Sequence, residues 1–284
     1  MMNRILIILS AFFLLVSCQK DACVGDSGKS VLTYTVQAPF EFEIKSTSNG
    51  QGSQINALWY GVYHKKADGR FVYMSDMSAY VPVDDASREI SVPITLFKDQ
   101  EYKIIFVAQH IKAVASVDGN VSNCYTYIIN ENGQMSLNPS AVITDGEQLD
   151  AFVYWEQTGV IKNDYKKKIE LRRPLAQINI STSATEKPSK IDVAVSGTAV
   201  SYSIFEGTYS EAAINPISFT GLACSGADLA TVYVLPAGSS VSLDMTMHYA
   251  ADGSGDGSAT ETKTLQVQGV SVAPNYKTNI TGNI

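Results

Sequence analysis

Three histidines are the residues whose type best suits acid–base chemistry: His64, His110 and His248. A catalytic histidine needs a nucleophile to activate and a third group that orients its ring. The three are isolated from one another in the sequence, and no Gly-x-Ser-x-Gly turn, phosphate-cradling glycine loop or dinucleotide fingerprint is present. The sequence therefore predicts ordinary strand histidines, no enzyme activity and no cofactor.

Clustered carboxylates suggest a second kind of chemistry, the binding of calcium. The segment ADGSGDGS (251–258) contains Asp252 and Asp256, and Glu261 is the next acidic residue. A calcium loop alternates its oxygen ligands and has a glutamate at its twelfth position, and this segment lacks both features. The pattern predicts a solvated hairpin tip and no metal site.

Cys18 has the sequence context of a modified cysteine. It follows Arg4 and an uncharged apolar run from Ile5 to Val16, which is typical of a secretory signal peptide and shorter than the roughly 20 residues of a membrane-spanning helix. The end of this run, Leu15-Val16-Ser17-Cys18, resembles a bacterial lipobox. The resemblance implies cleavage before Cys18, a thioether-linked lipid on its sulfur and acylation of the new amino terminus.

A polar segment follows Cys18. Gln19-Lys20-Asp21 resembles the surface-export signal of some Gram-negative lipoproteins, and polar residues continue to Ser30. We expect a signal peptide over residues 1–17, a tether over 18–30, and a lipid anchor that holds the chain at the outer membrane on the cell surface.

Three further cysteines, Cys23, Cys124 and Cys224, stand at long and irregular spacing. An odd number at such spacing is not a disulfide framework, and no zinc-ligand pattern is present. One pair can form in an oxidising compartment, for example Cys124 with Cys224. Buried or free thiols are the alternative.

The composition narrows the class of protein. The chain has 284 residues, a net charge of −7 and 17% charged residues, which is below the usual quarter. An acidic chain without a basic patch argues against a nucleic-acid partner. Its 15 tyrosines, together with frequent Thr, Ser and Val, are typical of a β-rich extracellular protein.

Period-two alternation of apolar and polar residues dominates the chain and predicts strands. Asp68-Gly69 and Asn132-Gly133 predict turns between strands, residues 145–159 suit one helical turn or a short helix, and no amphipathic helix exceeds about a dozen residues. We predict an all-β fold of two antiparallel β-sandwich-like domains in tandem, over residues 31–172 and 173–284, each with a separate core.

Several aromatic side chains suit a sugar-stacking platform. The same residue types fill the cores of β-sandwiches, and the sequence favours that role. The six residues are Trp59, Tyr60, Tyr63, Tyr73, Tyr80 and Trp155.

Four strings in the chain resemble the fimbrillin-like lipoproteins associated with type V pili. They are EYKIIFVAQ (101–109), DAFVYW (150–155), LRRPLAQINI (171–180) and NYKTNITGNI (275–284). The resemblance implies a two-domain β-sandwich that is exported as a lipoprotein and built into adhesive surface fibres. It also implies that proteolysis after an arginine removes the first strand, here residues 31–44, and that a neighbour's donor strand fills the vacant groove.

The expected cleavage loop departs from that pattern. No arginine occurs between Arg4 and Arg70, and Lys45 is the only basic residue of the loop 45–54. Either a protease acts at Lys45, or the first strand and its lipid stay with the chain. The second case favours an anchor or a stand-alone protein over a polymerising stalk.

The sequence therefore suggests a non-catalytic surface lipoprotein of fimbrillin type, a component or anchor of adhesive pili that binds other pilus subunits by donor-strand exchange. The alternative is a stand-alone surface lipoprotein that binds a glycan or a host protein. The last segment, 275–284, either donates a strand to a neighbour or closes the second sandwich, and the sequence favours closure.

Overall fold

The computed structural model describes residues 28–37, 54–83, 89–115, 121–250 and 259–283. These ranges contain twenty β-strands, a single-turn 3-10 helix at Gly146–Leu149 and no α-helix, so the all-β prediction is confirmed. The strands are β1 (Lys29–Gln37), β2 (Ala57–Lys65), β3 (Phe71–Pro82), β4 (Glu89–Phe97), β5 (Tyr102–Gln109), β6 (Ile111–Ala115), β7 (Val121–Tyr125), β8 (Tyr127–Ile129), β9 (Gln134–Leu137), β10 (Ala151–Gln157), β11 (Tyr165–Glu170), β12 (Ala176–Thr182), β13 (Lys190–Ser196), β14 (Ser201–Ser203), β15 (Thr208–Tyr209), β16 (Ile217–Ala223), β17 (Asp228–Val234), β18 (Ser240–Ala250), β19 (Ala259–Ser271) and β20 (Lys277–Gly282).

Seven strands form what we call the N-terminal unit. One sheet has the order β11-β1-β4 and the facing sheet has the order β10-β5-β2-β3. In β1, Leu32, Tyr34 and Val36 are buried while the residues between them face outward, because successive side chains of a strand point to opposite faces. These three side chains pack in a core with Ile104 and Phe106 of the facing sheet.

Seven later strands form the C-terminal unit, in two sheets of order β17-β12-β20 and β16-β13-β18-β19. The order repeats that of the N-terminal unit, with β12 in the place of β1 and β20 in the place of β11. Each first strand is antiparallel to one neighbour and parallel to the other. The sequence pattern predicted antiparallel pairing and did not reveal either the parallel pairs or the repeat.

Each unit carries an insertion, and the two insertions pair with each other. β8 and β9 lie between β5 and β10 along the chain, and β14 and β15 lie between β13 and β16. Together they form a sheet of order β15-β14-β9-β8, which we call the bridging sheet. Within it Ser136 of β9 is the register partner of Ser201 of β14, so main-chain hydrogen bonds join the two units.

The prediction of two separate cores differs from the structure. The N-terminal unit has its own core between its sheets, but the other face of its four-stranded sheet is also buried. Trp59, Tyr63, Ile105 and Val107 on that face belong to one hydrophobic cluster with the interior of the C-terminal unit. The reason is that β2 and β5 are apolar on both faces, so both faces must be covered. The domain boundary at 172 and 173 stays a prediction.

The predicted turns lie where the sequence placed them. Gly69 and Gly133 have φ of 85° and 72°, conformations that glycine adopts at little cost, and they connect β2 to β3 and β8 to β9. Residues 145–159 hold the predicted helical turn, which is capped by Asp145 and followed by β10.

Candidate functional site at the first strand

The modification sites expected from the sequence, Cys18 and Lys45, lie outside the described residues, as do Cys23 and the segment 251–258. Lipidation, processing and the hairpin tip therefore stay predictions. Cys124 and Cys224 are described, and both are free thiols, so they do not form the disulfide that their spacing allowed. Burial raises the pKa of the Cys224 thiol to about 11, which keeps it protonated and unreactive.

The three histidines contact different partners: His64 lies in β2, His248 lies in β18, and His110 lies between β5 and β6. His64 is 2.9 Å from Gln100 Oε1, His110 Nδ1 is 2.7 Å from the carbonyl oxygen of Gln54, and His248 Nε2 is 2.9 Å from Asp192 Oδ2. Among the described residues no three His, Cys, Asp or Glu side chains come together in a way that could hold a metal ion. In the same part of the chain, no helix has the length and apolarity needed to cross a membrane.

The six aromatic residues of the suggested sugar platform do not form one exposed surface. Trp59 and Tyr63 are buried, and Tyr60 packs on the opposite side of the sheet from them. Tyr73 lies beside Tyr63, with ring centroids 5.3 Å apart. The remaining two, Tyr80 and Trp155, are partly buried against the same core. These side chains therefore serve mainly as core and junction residues.

The most distinctive polar group of the N-terminal unit surrounds the first strand. β1 is the middle strand of its sheet, with nine register partners in β4 and six in β11. Its inward-facing Tyr34 is fully buried, and its ring lies 5.0 Å from that of Phe106. The Tyr34 hydroxyl donates a hydrogen bond of 2.6 Å to Glu156 Oε1 on the edge strand β10 of the opposite sheet. This bond crosses the sandwich and links its two sheets.

Other side chains complete the network around Glu156. The Tyr154 hydroxyl donates to Glu156 Oε2 over 3.1 Å, and Lys167 of β11 forms an ion pair with the same carboxylate. Tyr165 of β11 lies with its hydroxyl 2.8 Å from that of Tyr34. Burial, and then the hydrogen bond to Glu156, raise the pKa of Tyr34 far above its usual value, so the phenol remains a hydrogen-bond donor.

The corresponding strand of the C-terminal unit is held differently. The inward face of β12 is formed by residues including Ile178 and Ile180, and no inward tyrosine occupies the place of Tyr34. Its side-chain hydrogen bonds to neighbouring strands lie on the outer face and stay within one sheet. There Asn179 Nδ2 donates to Asn279 of β20 over 3.2 Å, and the Ser181 and Thr281 hydroxyls are 2.8 Å apart.

A second polar group lies at the junction of the two units. Arg173 donates to both carboxylate oxygens of Asp150, over 2.7 and 2.8 Å, and both side chains are almost wholly excluded from solvent. Arg173 also donates to Asn275 Oδ1 over 3.2 Å, and its guanidinium carbon lies 4.4 Å from the ring centre of Phe152. A buried pair of this kind requires good geometry and several hydrogen bonds, which it has here.

The 3-10 turn that precedes Asp150 packs on the C-terminal unit. A Cβ atom at Gly146 would lie 1.5 Å from the carbonyl oxygen of Thr231 in β17, so only glycine allows this approach. The Tyr233 hydroxyl of the same strand donates to Glu147 Oε2 over 2.9 Å. Burial, and then the carboxylates of Asp150 and Asp145, raise the pKa of Glu147 against the opposing effects of Tyr233 and Arg173.

The quoted sequence strings therefore meet at the junction. Asp150, Arg173 and Asn275 come from three of the four strings, and Gln109, which ends the fourth, is the register partner of Ala151 next to Asp150. Sequence reasoning took these strings as markers of strands and missed that they meet. It also missed Tyr34 and Glu156. The available signals were a tyrosine between two aliphatic residues of one strand face and a glutamate at the end of an apolar run.

No curated protein matches the chain. A candidate cell-adhesion protein of Bacteroides fragilis is similar in structure, with a TM-score of 0.51, 11% identity, and coverage of 90% of this chain and 93% of that chain. This likeness supports the fold. A candidate adhesin of Bacteroides thetaiotaomicron has a TM-score of 0.45 at 11% identity over 84% of this chain and 80% of its own. The fimbrial anchor protein Mfa2 of Porphyromonas gingivalis has a TM-score of 0.40 at 15% identity over 76% and 78%. The model of one family of unknown function, DUF6562, matches residues 29–284, and the chain belongs to that family.

Proposed function

We propose that this chain is a non-catalytic surface lipoprotein of fimbrillin type, a component or anchor of adhesive pili that acts by β-strand exchange and protein contacts. The proposal combines the sequence resemblance with a fold shared with a candidate cell-adhesion protein. Its partners are the outer-membrane lipid layer and other pilus subunits.

The observation that carries the proposal is the position of β1. It comes first in the chain among the described strands, and it is the middle strand of a three-stranded sheet. Without β1, the facing edges of β4 and β11 lose their main-chain partners, and the pockets of Leu32, Tyr34 and Val36 are empty. A foreign strand restores both kinds of contact, which is the physical basis of β-strand addition. We call this place the β1 slot.

Because β1 lies close to Cys18 in the chain, removal of β1 also removes the proposed lipid anchor. Ten residues separate Cys18 from Lys29, and an extended chain of that length spans at most about 40 Å. A lipid on Cys18 holds the chain at the outer membrane for as long as β1 remains attached. Because no arginine is present between Arg4 and Arg70, we favour the anchor, in which β1 and its lipid stay. A cut at Lys45 leads instead to a fibre component whose slot is open to a neighbour.

Isolation of surface fibres from the source bacterium tests the proposal. We expect the chain in the fibre fraction, altered fibre assembly in a deletion strain, and loss of membrane attachment in a Cys18→Ala variant. Intact-mass analysis of the native protein then separates the two roles: an acylated chain beginning at Cys18 indicates an anchor, and a chain beginning after Lys45 indicates a fibre component. Absence from fibres together with normal assembly in the deletion strain contradicts the proposal.

A further inference from the structure

The inner face of β1 carries Ser30, Leu32, Tyr34 and Val36, so a tyrosine position lies between two aliphatic ones. Leu32 and Val36 place aliphatic side chains into the core, and Tyr34 lies between them with its hydroxyl against Glu156. The alternation puts residues i−2, i and i+2 of any extended occupant into the same three places. The slot is therefore not a uniform apolar groove.

Glu156 favours a side chain with a hydrogen-bond donor at the middle position, the place of Tyr34. Its side chain is only 10% exposed, so water can do little to replace a missing hydrogen-bond donor. Lys167, Tyr154 and Tyr165 belong to the body of the N-terminal unit and remain when β1 leaves, whereas the Tyr34 hydroxyl belongs to the occupant. An occupant with an aliphatic residue at this place removes the shorter of the two hydroxyl bonds to Glu156 Oε1, which then keeps only the bond of 3.3 Å from the Tyr165 hydroxyl. Such an occupant also leaves the space beside Phe106 unfilled.

We propose that Glu156 makes the β1 slot selective for extended strands that carry a tyrosine between two aliphatic residues, spaced as in Leu32, Tyr34 and Val36. The proposal rests on the proposed function, since it names the kind of strand that can exchange there. The partner it fits is a segment of a neighbouring subunit with the pattern aliphatic-x-Tyr-x-aliphatic. A neighbour whose strand is wholly aliphatic does not displace β1, and the chain then keeps its own first strand and its lipid.

A competition experiment on the full chain tests this selectivity. A sequence-specific protease site is inserted between Lys45 and Gln54, the chain is cut, and both pieces stay together in solution. Fluorescent peptides that span residues 29–37 are added in excess in sub-denaturing urea, and the fraction incorporated at equilibrium is measured after gel filtration. The peptides carry the native sequence, Tyr34→Phe, Tyr34→Leu, or Thr35→Ala as a control on the outward face.

The native and Thr35→Ala peptides should be incorporated equally. The Tyr34→Phe peptide should be incorporated at least about tenfold more weakly, because a hydrogen bond to a charged group is lost, and the Tyr34→Leu peptide more weakly still. In a chain with Glu156→Leu, the preference for tyrosine over phenylalanine should fall below about threefold. The peptide series on the native slot needs no protein variant, so the test remains valid if Glu156→Leu does not fold.

The outcomes separate this inference from the proposed function. Equal incorporation of the tyrosine and phenylalanine peptides overturns the selectivity and leaves strand exchange intact. Failure of every peptide to enter a cut chain that remains folded by circular dichroism overturns strand exchange at β1 itself, and the selectivity with it. A tyrosine preference that persists unchanged in the Glu156→Leu chain shows that Glu156 is not its source.

Discussion

β1 and β12 occupy the same place in two repeated units, each between an antiparallel and a parallel neighbour. β1 is tied across the sandwich, because Tyr34 reaches Glu156 on the opposite sheet. β12 is tied along its own sheet, by an outward ladder that includes Asn179 and Asn279. One topology therefore supports two ways of holding a first strand. The inward bond ends in a buried carboxylate, so it can discriminate between occupants in a way that an exposed ladder cannot.

The two units also differ in the chain segment that precedes β1 and β12. β12 follows β11 after a short link that contains Arg173, which is buried in the junction. β1 is the first of the described strands, and in the proposed arrangement only a tether precedes it. After a cut between Lys45 and Gln54, β1 is joined to that tether alone and can be exchanged, while β12 is continuous with β11 and β13. This contrast explains why strand exchange is proposed for β1 alone.

The largest expected loss of stability comes from breaking the buried ion pair between Asp150 and Arg173, which lies at the junction of the two units. Asp150→Ala leaves the Arg173 guanidinium buried without its carboxylate, and we expect the free energy of unfolding to fall by about 3–5 kcal/mol. Urea denaturation measures this change. Glu89→Gln, which breaks the exposed ion pair with Lys168, is the control and should cost no more than about 1 kcal/mol. Equal effects of the two changes would show that the junction pair is not critical.

The next largest loss of stability is expected from truncation of one inward side chain in β1 or in β12. Leu32→Ala in β1 and Ile178→Ala in β12 both remove a fully buried side chain, and each should lower the free energy of unfolding by about 2–5 kcal/mol. Denaturation followed by circular dichroism gives both values. A cost below 1 kcal/mol for Leu32→Ala alone would mean that β1 contributes little to the folded unit, which would weaken the account of the slot.

A smaller expected effect is on the pH dependence of stability, through Glu147 at the junction. The raised pKa of Glu147 means that the folded state binds its proton more tightly than the unfolded state, whose pKa is near 4.5. Its stabilising contribution is therefore complete below pH 4.5 and is lost as the pH rises through the folded-state pKa. Glu147→Gln should remove this part of the pH dependence of stability, measured by thermal unfolding from pH 4 to pH 8. The control Glu186→Gln, at an exposed position, should leave the profile unchanged, and an unaltered profile in Glu147→Gln would contradict the assignment.

The sequence predicted the all-β fold and its turns because these follow from local pattern, as at Asp68-Gly69 and along Leu32, Tyr34 and Val36. It did not predict that β1 and β11 pair in parallel, since strand partners far apart in the chain leave no local mark. It did not predict the core that the two units share. The apolar run of β5 indicates that both faces of the strand are buried, but it does not identify the residues that cover the second face. The site residues were missed for a related reason: Tyr34 and Glu156 are 122 positions apart, and only the fold brings them together.

Tyr34 and Glu156 act as a pair that holds β1, and a double-mutant cycle on the intact chain tests this coupling most directly. Tyr34→Phe, Glu156→Leu and the combination are compared by urea denaturation. We expect Tyr34→Phe to cost about 1.5–3 kcal/mol in the native background and less than about 0.5 kcal/mol beside Glu156→Leu, a coupling of at least about 1 kcal/mol. Additive effects of the two substitutions would contradict the claim.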